Sequence, residues 1–80
     1  NIVLKIKPEL AYKAYDLFDG GSIYHDSDNN VIIKMKGYFA NWLVGYILSF
    51  GDFIEVMESD FFREAIKNQA YKVCEIYNKD

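Results

Sequence analysis

The chain is poor in the residues that most often carry chemistry or covalent support. Among 80 residues there is one cysteine (Cys74), one histidine (His25), one proline (Pro8) and one arginine (Arg63). A single cysteine excludes an internal disulfide, which fits an intracellular, cytoplasmic chain. It leaves no second soft ligand for zinc, and a Cys–His nucleophile would need both residues side by side with an orienting group. His25 lies by a turn and Cys74 beside an apolar helical stripe, so both read as ordinary packed or partly exposed residues. No run approaches the roughly 18 apolar residues of a membrane span, and the start carries no signal-peptide pattern. Positive charge is not in excess either. The net charge is −3 and the pI near 5.0, so the chain as a whole is not a polyanion binder.

What the chain has in quantity is aromatic surface: seven Tyr, six Phe and one Trp. A single domain of this size buries only about 60–65% of its unfolded surface. Rings that bury roughly 150–250 Å² each partly compensate for that thin margin. The same size argues against a large walled-off catalytic cavity. The chain opens Asn1-Ile2-Val3-Leu4, without a Met, and enters strand-like sequence at once, as a piece of a longer protein would.

Ile2, Leu4 and Ile6 alternate with Val3, Lys5 and Lys7, the period of a strand with one buried face. Pro8-Glu9 suits the first turn of a helix. Leu10, Ala14, Leu17 and Phe18 form its stripe, and Gly20-Gly21 closes it. That glycine pair follows a helix, not a strand, and lacks the residues that cradle phosphate. Ser22 to His25 reads as a second strand, joined through Asp26-Ser27-Asp28-Asn29-Asn30 to a third over Val31–Tyr38. The acidic turn opens like a calcium loop, but Val31 stands where the turn glycine belongs and Gly37 where the bidentate acid belongs. It reads as a hairpin turn.

Asn41 is a candidate N-cap for a helix from Trp42 to about Phe50, with Gly51 placed for a left-handed stop. Trp42, Leu43, Tyr46, Ile47 and Phe50 read as its core stripe. Gly45, inside that helix, is a candidate for close packing on the sheet. Asp52 to Glu58 alternates as a fourth strand. Ser59 or Asp60 caps a last helix through about Tyr77, with Phe62, Ile66, Ala70, Val73 and Tyr77 on its apolar side. Lys72 and Lys79 near its end suit the helix dipole, and Glu75 with Lys79 makes a favourable i,i+4 pair.

The order β-α-β-β-α-β is that of an α+β, ferredoxin-like sandwich with a four-stranded antiparallel sheet. The additional C-terminal helix needs a surface to cover, on this sheet or on another chain. The first and third strands are central neighbours in that fold. Lys5, Lys7, Lys34 and Lys36 therefore share the face away from the first two helices, at separations near the roughly 8 Å Debye length. Something anionic belongs opposite: Glu55 on the flanking strand, an acidic partner, or a nucleic-acid backbone. A solvated face trimmed with lysine against edge association is the plainer reading. Val3, Ile32, Phe53 and Met57 make the same face amphipathic. Arg63 opposes the dipole of the last helix, which calls for a specific acidic partner, with Glu58 nearest in sequence.

The run Asn41-Trp42-Leu43-Val44-Gly45-Tyr46-Ile47-Leu48-Ser49-Phe50-Gly51, then Phe53-Ile54-Glu55-Val56-Met57-Glu58-Ser59, then Phe62-Arg63-Glu64-Ala65-Ile66 resembles a known module. It is similar to the C-terminal extension (WCX) that follows the WYL domain in bacterial helix-turn-helix transcriptional regulators. Trp42, Gly51, Val56, Glu58 and Arg63 match that family's recurrent positions. Ser59 stands where the family usually has proline, and Phe62 where it has leucine. The resemblance covers essentially all 80 residues and implies one domain, 1–80, from the C-terminus of a longer regulator. It implies a non-catalytic part that helps hold a homodimer and can border the site of an effector, often a nucleic acid. DNA would be read by a helix-turn-helix domain that these residues do not contain, and no cofactor, metal or membrane is implied. Lys5, Lys7, Lys34, Lys36 and Arg63 are then the candidate contacts to a nucleic acid or other anionic ligand.

Two other classes share this element order. A small-molecule regulatory domain of the ACT type wants a glycine-rich turn after the first strand, where this chain has Lys7-Pro8-Glu9. An acylphosphatase-like enzyme needs a cationic cradle near the first loop, far from Arg63.

Overall fold

The alternation of the opening residues is realised as β1, Ile2–Ile6, whose even-numbered side chains Ile2, Leu4 and Ile6 are buried in one cluster. The computed structural model describes residues 2–13, 22–36 and 41–79. A 3₁₀ turn follows over Pro8–Leu10, with proline in its first turn as its fixed φ favours, and residues 11–13 are helical. The predicted stripe positions Ala14, Leu17 and Phe18, the Gly20-Gly21 stop, Gly37 and Tyr38 lie outside the described residues.

β2, Ser22–His25, and β3, Val31–Met35, are the two arms of the predicted hairpin. Asp26 holds the turn between them. Its carboxylate accepts the backbone N–H of Asp28 at 3.0 Å, that of Asn30 at 2.9 Å, and the Asn30 side-chain amide. Asn29 takes the left-handed backbone (φ 68°) that asparagine tolerates in such turns. Those hydrogen bonds lower the Asp26 carboxyl below its ordinary value, the Asn30 side chain first among them. The acidic loop is thus a hairpin turn.

α1 spans Asn41–Leu48 and buries Leu43, Val44 and Ile47. Asn41 is its first helical residue, so the predicted cap lies one residue inside. Gly51 stands at φ +63°, the left-handed stop the sequence calls for. A 3₁₀ turn over Gly51–Phe53 then delays β4, which runs Ile54–Glu58, two residues after the predicted start. Ser59 caps α2, Asp60–Tyr77, its Oγ accepting the Phe62 N–H at 3.3 Å.

The sheet order is β2-β3-β1-β4, all neighbours antiparallel, as the ferredoxin-like reading requires. One β-bulge interrupts it: Leu4 faces Val56, but Val3 faces Glu58, so Met57 is the extra residue on β4. One layer of core lies between the sheet and the helices. Leu4, Ile6, Val31 and Ile33 meet Ile47 and Phe62 there, and each of these six is almost wholly buried.

The last helix departs from this economy. Phe62 is 1% exposed and Ala65 and Ile66 half-buried, but every residue from Lys67 to Lys79 is exposed. An 18-residue helix is about 27 Å long. Its final eleven residues, about 16 Å, are all exposed, with Asn68, Gln69 and Lys72 lining a groove beside α1. The radius of gyration, 13.2 Å, accordingly exceeds the roughly 12 Å usual for 80 residues, and the longest dimension is 43 Å.

Candidate functional site

The strand register sets out the open face of the sheet as a grid. Ser22, Lys34, Val3 and Glu58 stand across it in one row, and Tyr24, Ile32, Lys5 and Glu55 in the next. Lys7 and Phe53 begin a third, since the Lys7 N–H donates to the Phe53 carbonyl at 2.9 Å. Lys5 and Lys34 therefore share this face as predicted, while Lys7 and Lys36 sit just beyond the ends of β1 and β3.

Among the described residues one lysine of this face is paired with an acid, and a second has an acid as its cross-strand neighbour. Glu58, Glu55 and Asp52 make an acidic column along β4 and the turn before it, next to Lys5 of β1 and Lys7 just beyond it. Glu55 is the direct cross-strand neighbour of Lys5, as anticipated. Lys7 Nζ donates to Asp52 Oδ2 at 3.2 Å, and that hydrogen bond and charge hold the Asp52 carboxyl below its usual value. Lys7 also stands 5.9 Å from the Phe53 ring centre and Lys34 5.6 Å from that of Tyr24, both within cation–π range. Among the described residues Lys34 and Lys36 have no carboxylate partner, so the positive end of the face lies on β3. Asp52 is a partner the sequence reading missed, although its place beside Phe53 in an antiparallel ladder with Lys7 would have pointed to it.

Between the charges lies an apolar floor. Val3 and Ile32 are buried even on this side, screened by Lys5, Lys34, Tyr24 and Met57 around a shallow groove of about 410 Å³. The arrangement offers hydrogen-bond donors, acceptors and an aromatic ring. Among the described residues no group of three or more His, Cys, Asp and Glu is disposed to hold a metal. His25 and Cys74 are both exposed, one on edge strand β2 and the other on the far part of α2.

Arg63 does not take the acidic partner expected for it. Its guanidinium donates to two main-chain carbonyls of β4, Val56 at 3.0 Å and Met57 at 3.3 Å. Glu58 is exposed at the strand end and makes no ion pair with it among the described residues. The reason is geometric. β4 is an edge strand, and the outward carbonyl of Val56 lacks a neighbouring strand to satisfy it.

Trp42 is a second correction, because it is 70% exposed and not part of the core. On α1 the buried stripe falls on Leu43, Val44 and Ile47. Trp42, Tyr46 and Phe50 form a ladder of rings along another side, with centroids 6.2 and 5.2 Å apart. Gly45 is exposed too, and a methyl group there would meet no atom within 4 Å, so it does not serve close packing. On α2 the predicted apolar stripe is covered only at Phe62 and, in part, Ile66. Ala70, Val73 and Tyr77 carry it on in the open, joined by Tyr71 and Ile76. Lys79 lies past the helix end and pairs with no acid among the described residues, Glu75 included.

In a comparison of the sequence with family profiles, the WCX domain matches residues 1–73. The chain belongs to the WCX family. A search of curated proteins finds no match. WCX is a regulatory domain family associated with WYL-type transcriptional regulators, so this chain is a regulatory domain of that kind. Of the five positions expected to match the family pattern, Val56 is core, Gly51 is the left-handed stop, Arg63 ties helix to strand, and Trp42 and Glu58 face outward. Among the described residues no helix is long and apolar enough to cross a membrane.

Proposed function

We propose that this WCX domain is a non-catalytic accessory part of a cytoplasmic WYL-type regulator, where it joins two subunits and borders an effector site. DNA is read elsewhere in that regulator, by a helix-turn-helix domain. The observation that carries the reading is the free arm of α2. Val73, Ile76 and Tyr77 form an exposed apolar patch near its end, with Tyr77 82% exposed. A second subunit covers it. The effector side is the lysine end of the open face, with Lys34 and Lys36, which have no carboxylate partner among the described residues, and Lys5 and Lys7 as neighbours that face acids. A compact anionic group, or the backbone of a short nucleic acid, suits two such cations better than a long polyanion does.

Sedimentation equilibrium over a range of concentrations tests the first half. The chain is expected to associate, and Ile76→Glu to remain monomeric. A wild-type chain that stays monomeric at high concentration removes the arm from the account. The ACT-type alternative predicts instead that a free amino acid binds the isolated domain, which calorimetry would register.

A further inference from the structure

One residue turns the chain from sheet to helix. β4 ends at Glu58 and α2 begins at Asp60, leaving Ser59 alone between them at φ 85° and ψ 93°. A non-glycine residue on the positive side of φ is uncommon, and it persists only where its surroundings hold it. Two local contacts do so: the Phe62 N–H to Ser59 Oγ, and the Arg63 N–H to the Ser59 carbonyl at 2.9 Å. Both close the first turn of α2 on itself, and neither says where the helix points relative to the sheet.

We propose that Arg63 is the positioning residue that aims the free arm of α2, by clamping the first turn of the helix to the outer edge of β4. Its guanidinium spans the Ser59 joint from the helix side and grips the strand on the other, at Val56 and Met57. The acceptors are suited to the task. Because Phe53 bonds inward to Lys7, and Glu55 faces Lys5 two residues on, the Val56 carbonyl points away from β1 and is open to a donor from outside. The choice of residue also needs a reason, because a cation in the first turn opposes the helix dipole. Both bonds come from one guanidinium nitrogen, Nη1, and this delocalised group is more weakly hydrated than an ammonium, so it gives up less on leaving water for the strand edge. Phe62, with Ala65 and Ile66 half-buried beyond it, holds the apolar side of the helix on the core. Arg63 adds a polar anchor at the strand edge.

The consequence drawn for subunit joining rests on the reading of the arm given above, while the clamp itself does not. The test places spin labels on the native Cys74, near the far end of the arm, and on Ser22→Cys of β2. Distances are measured by pulsed dipolar spectroscopy in samples diluted with unlabelled chain. Wild type is expected to give one narrow distribution. In Arg63→Ala the ratio of aimed to swung helix falls about tenfold or more, from the loss of charge-assisted hydrogen bonds, and the distribution broadens. Arg63→Lys gives an intermediate width, and amide exchange in β1 and β3 stays as in wild type. A distribution in Arg63→Ala as narrow as wild type overturns the proposal. If that variant does not fold, Arg63→Lys decides, and an unchanged width overturns it equally. A strictly monomeric wild type with a broad Arg63→Ala distribution would sink the joining role and leave the clamp standing; the reverse pair of results would do the opposite.

Discussion

Lys7 Nζ stands 3.2 Å from Asp52 Oδ2, joining the end of β1 to the turn that launches β4, 45 residues later in the chain. Both side chains are largely in water, so the bond orders the face more than it stabilises the fold. Its trace is in titration. With Lys7→Gln, the Asp52 carboxyl is expected to titrate nearer its ordinary value than in wild type, followed by NMR. The gap should shrink as salt is raised. An Asp52 midpoint unmoved by the substitution would show that the pair does not form in solution.

Asp26 supports the hairpin through its ionised form. Its folded-state value is lowered, so its contribution is present above the unfolded value and is lost as pH falls through the folded one. The protection of the Asn30 amide, its exchange relative to the intrinsic rate at each pH, should therefore fall under acid before that of the β1 core amides. Asp26→Ala should show the same loss of protection at neutral pH.

Two aromatic substitutions should separate cleanly. Phe62→Ala empties a fully buried site and is expected to cost about 3–5 kcal/mol in denaturant unfolding. Trp42→Ala, at a mostly exposed site, is expected to fall within about 0.5 kcal/mol of wild type. Equal losses would return Trp42 to the core.

Gly51→Ala keeps all side-chain contacts but places a Cβ on a backbone at φ +63°. A loss of about 1–2 kcal/mol is expected, measured by urea unfolding. No neighbouring atom lies within 4 Å of the added methyl, so the loss would be conformational and not steric.

On the open face, Lys34→Glu with Lys36→Glu should weaken binding of a short single-stranded oligonucleotide by the intact regulator and flatten its salt dependence. Lys5→Glu with Lys7→Glu should do less, because Asp52 already pairs with Lys7 and Glu55 stands across from Lys5. Equal effects from the two pairs would assign the contact to the whole face.

The fold was readable from Ile2, Leu4 and Ile6, from Ile54 and Val56, and from the acidic turn, because period and turn chemistry act locally. The side on which a helix meets its sheet does not. Trp42 and Leu43 are both apolar neighbours on α1, and only the packed geometry sends Leu43 inward and Trp42 out. The cross-strand placement of Glu55 beside Lys5 was legible because register follows from the fold. The partner of Arg63 was not, since main-chain carbonyls on an edge strand leave no mark in the side-chain sequence. The exposed stripe of α2 was legible as apolar, and how much of it the domain itself covers was not.

The extra residue at Met57 acts as a parity correction. Strict alternation from Ile54 and Val56 would send Glu58 inward, placing a carboxylate beneath the helices with no cation to meet it. The bulge instead lets Met57 and Glu58 both stay wet and delivers the chain to Ser59 in step with a buried Phe62. Deleting any one residue between Val56 and Ser59 would put the following helix out of phase with its own sheet.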